Sequence, residues 1–64
     1  MIELFIERWT NPTGSTDYRW SVWNDGLQLQ AGPRVYRGGD ECVAEGLDFC
    51  VRALGREPDK VTKL

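Results

Sequence analysis

The side chains whose types could do covalent or acid–base chemistry are two cysteines, Cys42 and Cys50, and a row of carboxylates at Glu41, Glu45 and Asp48. A thiol at a helix start becomes more acidic in the field of the helix dipole, one route to a nucleophilic cysteine. Cys42 falls in the first turn of the helix read below, but Asp40 and Glu41 beside it oppose that shift. Cys50 falls on the apolar stripe of the same helix and is expected to behave as a small buried hydrophobe. Eight positions of helix separate the pair, about 12 Å at about 1.5 Å per residue. Bridged cysteines bring their Cα atoms within about 7 Å, so reduced thiols and a cytoplasmic setting are expected.

The chain has no histidine. That removes the commonest general base and the usual activator of a serine or cysteine nucleophile. Two cysteines without histidine fall short of a structural zinc set, so no metal or other cofactor is expected. Glu41, Glu45 and Asp48 form the pattern of a solvated helix face. The remaining carboxylates are scattered, and no two share an apolar pocket that would split their pKa values. Gly38 and Gly39 precede the helix without the spacing of a phosphate loop. An enzyme is not expected.

These residues are positioned by 64 residues, enough for one domain. A domain this small buries only about 60% of the surface its unfolded chain exposes, so its large apolar side chains must be placed with economy. Ile2 to Trp9 alternates, with Ile2, Leu4 and Ile6 opposed to Glu3, Phe5, Glu7 and Trp9. Period-two alternation of this kind reads as a strand. Thr10 to Asp17 holds polar and turn-forming types and reads as a loop. Tyr18 to Asn24 alternates again, and Asp25-Gly26 matches a two-residue hairpin turn whose central positions need positive φ. Leu27 to Ala31 completes the hairpin. The register that follows puts Val22 opposite Leu29, Trp20 opposite Ala31, Trp23 opposite Gln28 and Ser21 opposite Gln30, so that the apolar sets share a face.

Gly32-Pro33 breaks the third strand, since proline lacks an amide proton, and Arg34 to Arg37 is expected to extend it. From Asp40, a suitable N-cap, the spacing becomes helical. Val43, Leu47, Cys50, Val51 and Leu54 share one side, and Gly55 stands where a left-handed terminator belongs. Residues 55–64 read as a tail, with Val61 and Leu64 as anchors. The expected architecture is α+β: a three-stranded antiparallel meander (strands 2–9, 18–24 and 27–31, extended at 34–37) packed on one C-terminal helix at 40–54. The expected core is Ile2, Leu4, Ile6, Tyr18, Trp20, Val22, Leu27, Leu29 and Ala31 beneath the helix stripe.

Alternation leaves a second face bearing Phe5, Trp9, Arg19, Trp23, Gln28 and Gln30, together with Glu3, Glu7 and Ser21. Aromatic side chains on an open sheet face either support cross-strand packing or form a contact patch for a partner. Glu3 and Glu7 on the same face would repel phosphates, which favours a protein partner. The alternative is a nucleic-acid contact through Arg34, Tyr36 and Arg37 with Arg56, Lys60 and Lys63, the only basic grouping. A net charge of −2 argues against sequence-independent binding of that kind. The N-terminus lacks the charged and apolar regions of a signal peptide, and no apolar run approaches the roughly 20 residues of a membrane span.

Tyr18-Arg19-Trp20-Ser21-Val22, Asn24-Asp25-Gly26, Ala31, Tyr36 and Cys42 together resemble the YegP-like small domains over residues 18–54. The resemblance implies a β-β-β-α unit that pairs with a second copy, here as a homodimer, and brings no established activity. The chain departs from the family in the Gly32-Pro33 break and the long Thr10–Asp17 loop. The combined expectation is a non-enzymatic, homodimeric protein-interaction module of the kind that regulates or inhibits a partner.

Overall fold

In the computed structural model, which describes Met1–Leu64, the two alternating segments become long strands, β1 (Ile2–Thr10) and β2 (Thr16–Asn24). They pair antiparallel from Ile2 opposite Asn24 to Thr10 opposite Thr16. Both therefore run further than the sequence pattern marks, and the loop shrinks to residues 11–15. Asn11 closes it: its backbone N–H donates to the Ser15 carbonyl at 2.7 Å and its Nδ2 to Asp17 Oδ2 at 2.7 Å. Gly14 supplies the positive φ that the turn needs, +91°.

Strand β3 (Leu27–Ala31) follows the expected turn, in which Asp25 and Gly26 have φ of +50° and +85°. Trp23 faces Gln28 as expected, but the register then slips, so that Val22 faces Gln30 and Ser21 faces Ala31. Leu29 is the extra residue of a β-bulge. With a side-chain period of two, one inserted residue turns everything beyond it to the other face. The expected core is corrected here. Leu27 and Leu29 are 68% and 40% exposed, and Gln30 turns to the helix side while Ala31 takes its place on the open face.

Beyond the bulge the chain returns to β2. The Gly32 N–H donates to the Trp20 carbonyl at 2.8 Å, and Tyr18 and Tyr36 exchange both backbone hydrogen bonds at 2.8 Å each. The expected extension at 34–37 is thus a single bridge at Tyr36. The Tyr36 ring is buried, and its hydroxyl accepts the Trp20 indole N–H at 3.4 Å.

Helix α1 (Gly39–Phe49) starts from Gly38, which gives no side-chain cap; Asp40 lies in the first turn rather than at the cap. The helix widens into a π-helical turn at Cys50–Leu54 and stops at Gly55, φ +73°. Its buried side carries Cys42, Gly46 and Cys50, with Val43, Leu47, Phe49 and Leu54 partly buried. Val51, expected on the core-facing side of the helix, is instead exposed. The other half of the core is Ile2, Leu4 and Ile6 of β1 with Trp20 and Val22 of β2. Each such side chain contributes about 1.5–3 kcal/mol by burial. Gly46 sets the helix–sheet distance, for a Cβ there would lie 2.6 Å from Leu4 Cδ1.

The three-stranded meander is also corrected. Residues expected as a tail form β4 (Lys60–Lys63), parallel to β1, so the sheet is four-stranded and mixed in the order β3-β2-β1-β4. Asp59 clamps the entry: its N–H donates to the Ile2 carbonyl at 2.8 Å, and its carboxylate accepts the Ile2 N–H at 2.7 Å. Four residues, two of them lysine, carry too little alternation to be read as a strand.

Candidate functional site

Helix α1 covers one face of the sheet and leaves the other open. On the open face Phe5 lies opposite Ser21, and Glu3 lies opposite Trp23. Because serine is small, the rings of Phe5 and Trp23 meet over it edge to face, with centroids 6.0 Å apart and planes at 75°. Such a pair gives about 0.5–1.5 kcal/mol beyond its area. The Trp23 indole N–H donates to Ser21 Oγ at 2.9 Å. Ser21 is only 4% exposed although no helix covers it. The two rings form the floor of an open depression of about 390 Å³, bounded by Glu3, Glu7 and Asp25.

The sequence had these carboxylates scattered; the structure gathers three of them around one aromatic floor. Each is held differently. Glu3 accepts the Thr62 hydroxyl at 2.5 Å and lies 3.8 Å from the Lys60 ammonium. Asp25 pairs with the Met1 ammonium at 2.8 Å. Glu7 is exposed and takes part in no hydrogen bond or ion pair. Its cross-strand partner is Arg19, but that guanidinium stacks over the Trp9 ring, 5.5 Å from its centroid. No lysine or arginine side chain lines the depression.

Of the six residues expected to make the contact patch, Phe5 and Trp23 form the floor. Gln28 stands opposite Trp23. Trp9 and Arg19 make their own pair outside the depression, and the bulge carries Gln30 to the helix side. Glu3, Glu7, Ser21 and Asp25 were not singled out as site residues, although alternation alone had put the first three on this face.

The basic residues do not come together. Arg34 stacks on Tyr36 at 4.3 Å and pairs with Glu41 at 3.1 Å, and Arg37 lies 3.5 Å from Asp17. Arg56 pairs with Asp59. Tyr36 is buried in the core and unavailable for base stacking. Arg34 and Arg37 lie beside β2 on the β3 side, whereas Lys60 and Lys63 lie on β4 at the opposite edge.

Cys42 and Cys50 are both free and fully buried. Burial pushes both thiols up from their ordinary value, and Glu41 adds to the rise at Cys42. Burial therefore opposes thiolate formation at both residues, and the Glu41 charge opposes it further at Cys42. No three His, Cys, Asp or Glu side chains converge as metal ligands, and no helix is long and apolar enough to cross a membrane. Comparison with known protein families, curated proteins and solved structures finds no match.

Proposed function

We propose that this chain is a non-enzymatic protein-interaction module whose working surface is the helix-free face of the sheet. The observation that carries the reading is the Phe5–Trp23 pair, fixed over Ser21 on two paired strands on the face away from the helix. Aromatic side chains dominate the energetics of protein interfaces, and strands hold them in place before a partner arrives, which lowers the ordering cost of binding. The buried thiols and the dispersed basic residues give catalysis and nucleic-acid binding no comparable footing. A small domain with one such face suits a regulator or inhibitor that works by covering a partner's surface.

Pairing with a second copy, which the YegP-like resemblance implies, would use the free edge of β3. That edge (Leu27–Ala31) bears no charge and exposes Leu27 and Leu29, whereas the β4 edge carries Lys60 and Lys63. Charged side chains, lysine above all, discourage edge-to-edge pairing.

The test places a photo-crosslinking side chain at Gln28, beside Trp23, and in a second variant at Asp48 on the exposed helix surface, in native cells. A discrete protein adduct is expected from position 28 alone, and Trp23→Ala should abolish it. Equal adducts from both positions, or none from position 28, would overturn the reading. For pairing, light scattering over a wide concentration range should give a dimer that Leu27→Lys with Leu29→Lys returns to monomer. A monomer at every concentration would remove that part.

A further inference from the structure

On the reading of the open face as a protein-binding surface, we infer that its partner docks a segment bearing lysine or arginine, seating a cationic side chain on the Phe5–Trp23 floor beside the Glu7 carboxylate. The argument is charge complementarity. Every charged side chain lining the depression is acidic: Glu3, Glu7 and Asp25. Two of these are engaged within the chain, Glu3 by Thr62 and Lys60, and Asp25 by the Met1 ammonium. Glu7 is the one left over, because Arg19, which faces it across the β1–β2 ladder, is drawn onto Trp9 instead. A carboxylate beside an aromatic face offers a cation two attractions at once, an ion pair and the negative face of a ring.

The chain shows the same chemistry on itself at Trp9, whose ring holds the Arg19 guanidinium. At Phe5 and Trp23 the rings are present, and the one cationic group on a lining residue, the Met1 ammonium, is held by Asp25. The aliphatic stem of lysine or arginine would cover the apolar floor while its head reaches Glu7.

The experiment titrates the whole chain with three short capped peptides, alternating valine with arginine, with glutamine, or with glutamate. The readout is the Trp23 indole N–H resonance, assigned by its loss in Trp23→Phe. The arginine peptide should shift that resonance saturably, less so as salt is raised, while the other two should not. Glu7→Gln should weaken the arginine peptide roughly tenfold, and Glu7→Lys should abolish binding. Equal binding of the glutamine peptide would overturn the charge preference while leaving the interaction surface standing. Failure of the arginine peptide, with position 28 still crosslinking, would do the same. Failure of both would remove the interaction reading as well. Guanidinium ion alone shifting Trp23 at the same concentration would overturn the docked segment in favour of a small cation.

Discussion

Trp20 and Trp23 stand on one strand and face opposite sides of the sheet, and their surroundings have little in common. Trp20 is sealed beneath α1, its ring 5.3 Å from Phe49, its indole N–H on the Tyr36 hydroxyl and Gly46 against its ring. These contacts come from residues distant in sequence. Trp23 rests on Phe5 and Ser21, its neighbours within the sheet, and keeps part of its surface in solvent. The pleat decides which side a tryptophan faces; a helix decides whether that side becomes core or remains available. The single helix covers only one face, so the aromatic pair on the other stays outside the core.

The most severe way to break this comparison is to delete both rings in turn. Trp20→Ala should cost about 3–5 kcal/mol, the usual range for a buried tryptophan, enough to unfold a domain of this size. Trp23→Ala should cost about 1–2 kcal/mol, comprising the edge-on contact with Phe5 and partial burial. Urea unfolding followed by circular dichroism separates the two; equal costs would mean that the faces are not energetically distinct. Next in size is the helix approach. Gly46→Val should cost about 1–3 kcal/mol by overpacking, because the new atoms meet Leu4 and Trp20. Ala44→Val, on the exposed side of the same helix, should cost about 0.7 kcal/mol or less, from helix propensity alone.

Strand β4 links the two sides, since Asp59 fastens it to β1 and Thr62 and Lys60 brace Glu3 on the open face. The Ile2 backbone N–H, and after it the Arg56 guanidinium, hold the Asp59 carboxyl below its ordinary value. A carboxylate with a lowered folded pKa stabilises fully above its unfolded value, about pH 4, and loses that contribution as pH falls through the folded value. Asp59→Asn should therefore lower the urea midpoint at neutral pH and make the fall in stability below about pH 4 shallower. An unchanged acid limb would mean that the clamp carries no linkage. The same variant should leave Trp23 on Phe5, since neither touches Asp59.

Strand alternation made much of this legible from sequence. Ile2, Leu4, Ile6, Trp20 and Val22 point inward and Phe5, Trp23, Glu3 and Glu7 outward because a period of two leaves no other choice once β1 and β2 are recognised. The Asp25-Gly26 turn was equally clear, since few other pairs accept its dihedrals. What sequence could not reveal depended on distant competition. Leu27-Gln28-Leu29-Gln30 alternates without fault, yet Tyr36 fills the space beside Trp20 and the register slips by one residue at Val22/Trp23. That slip takes Gln30 from the open face. Strand β4 was hidden for another reason: its anchor is a carboxylate accepting a backbone amide from β1, a contact with no periodicity to read.

The smallest expected effect is the sharpest test of that bulge. Leu29→Ala should change stability by no more than about 0.5 kcal/mol, as for an exposed position, when measured at protein concentrations low enough that pairing of copies plays no part. Were the register unslipped, Leu29 would face Val22 beneath the helix, and the same substitution would cost about 2–5 kcal/mol. The two outcomes differ by several-fold and need only a urea midpoint to distinguish. A large cost would also rebuild the open face, because Gln30 would return opposite Ser21 and set an amide at the border of the aromatic floor. A negligible cost keeps Ala31 there, and with it a floor on which β1 and β2 supply both rings while β3 contributes Gln28 opposite Trp23.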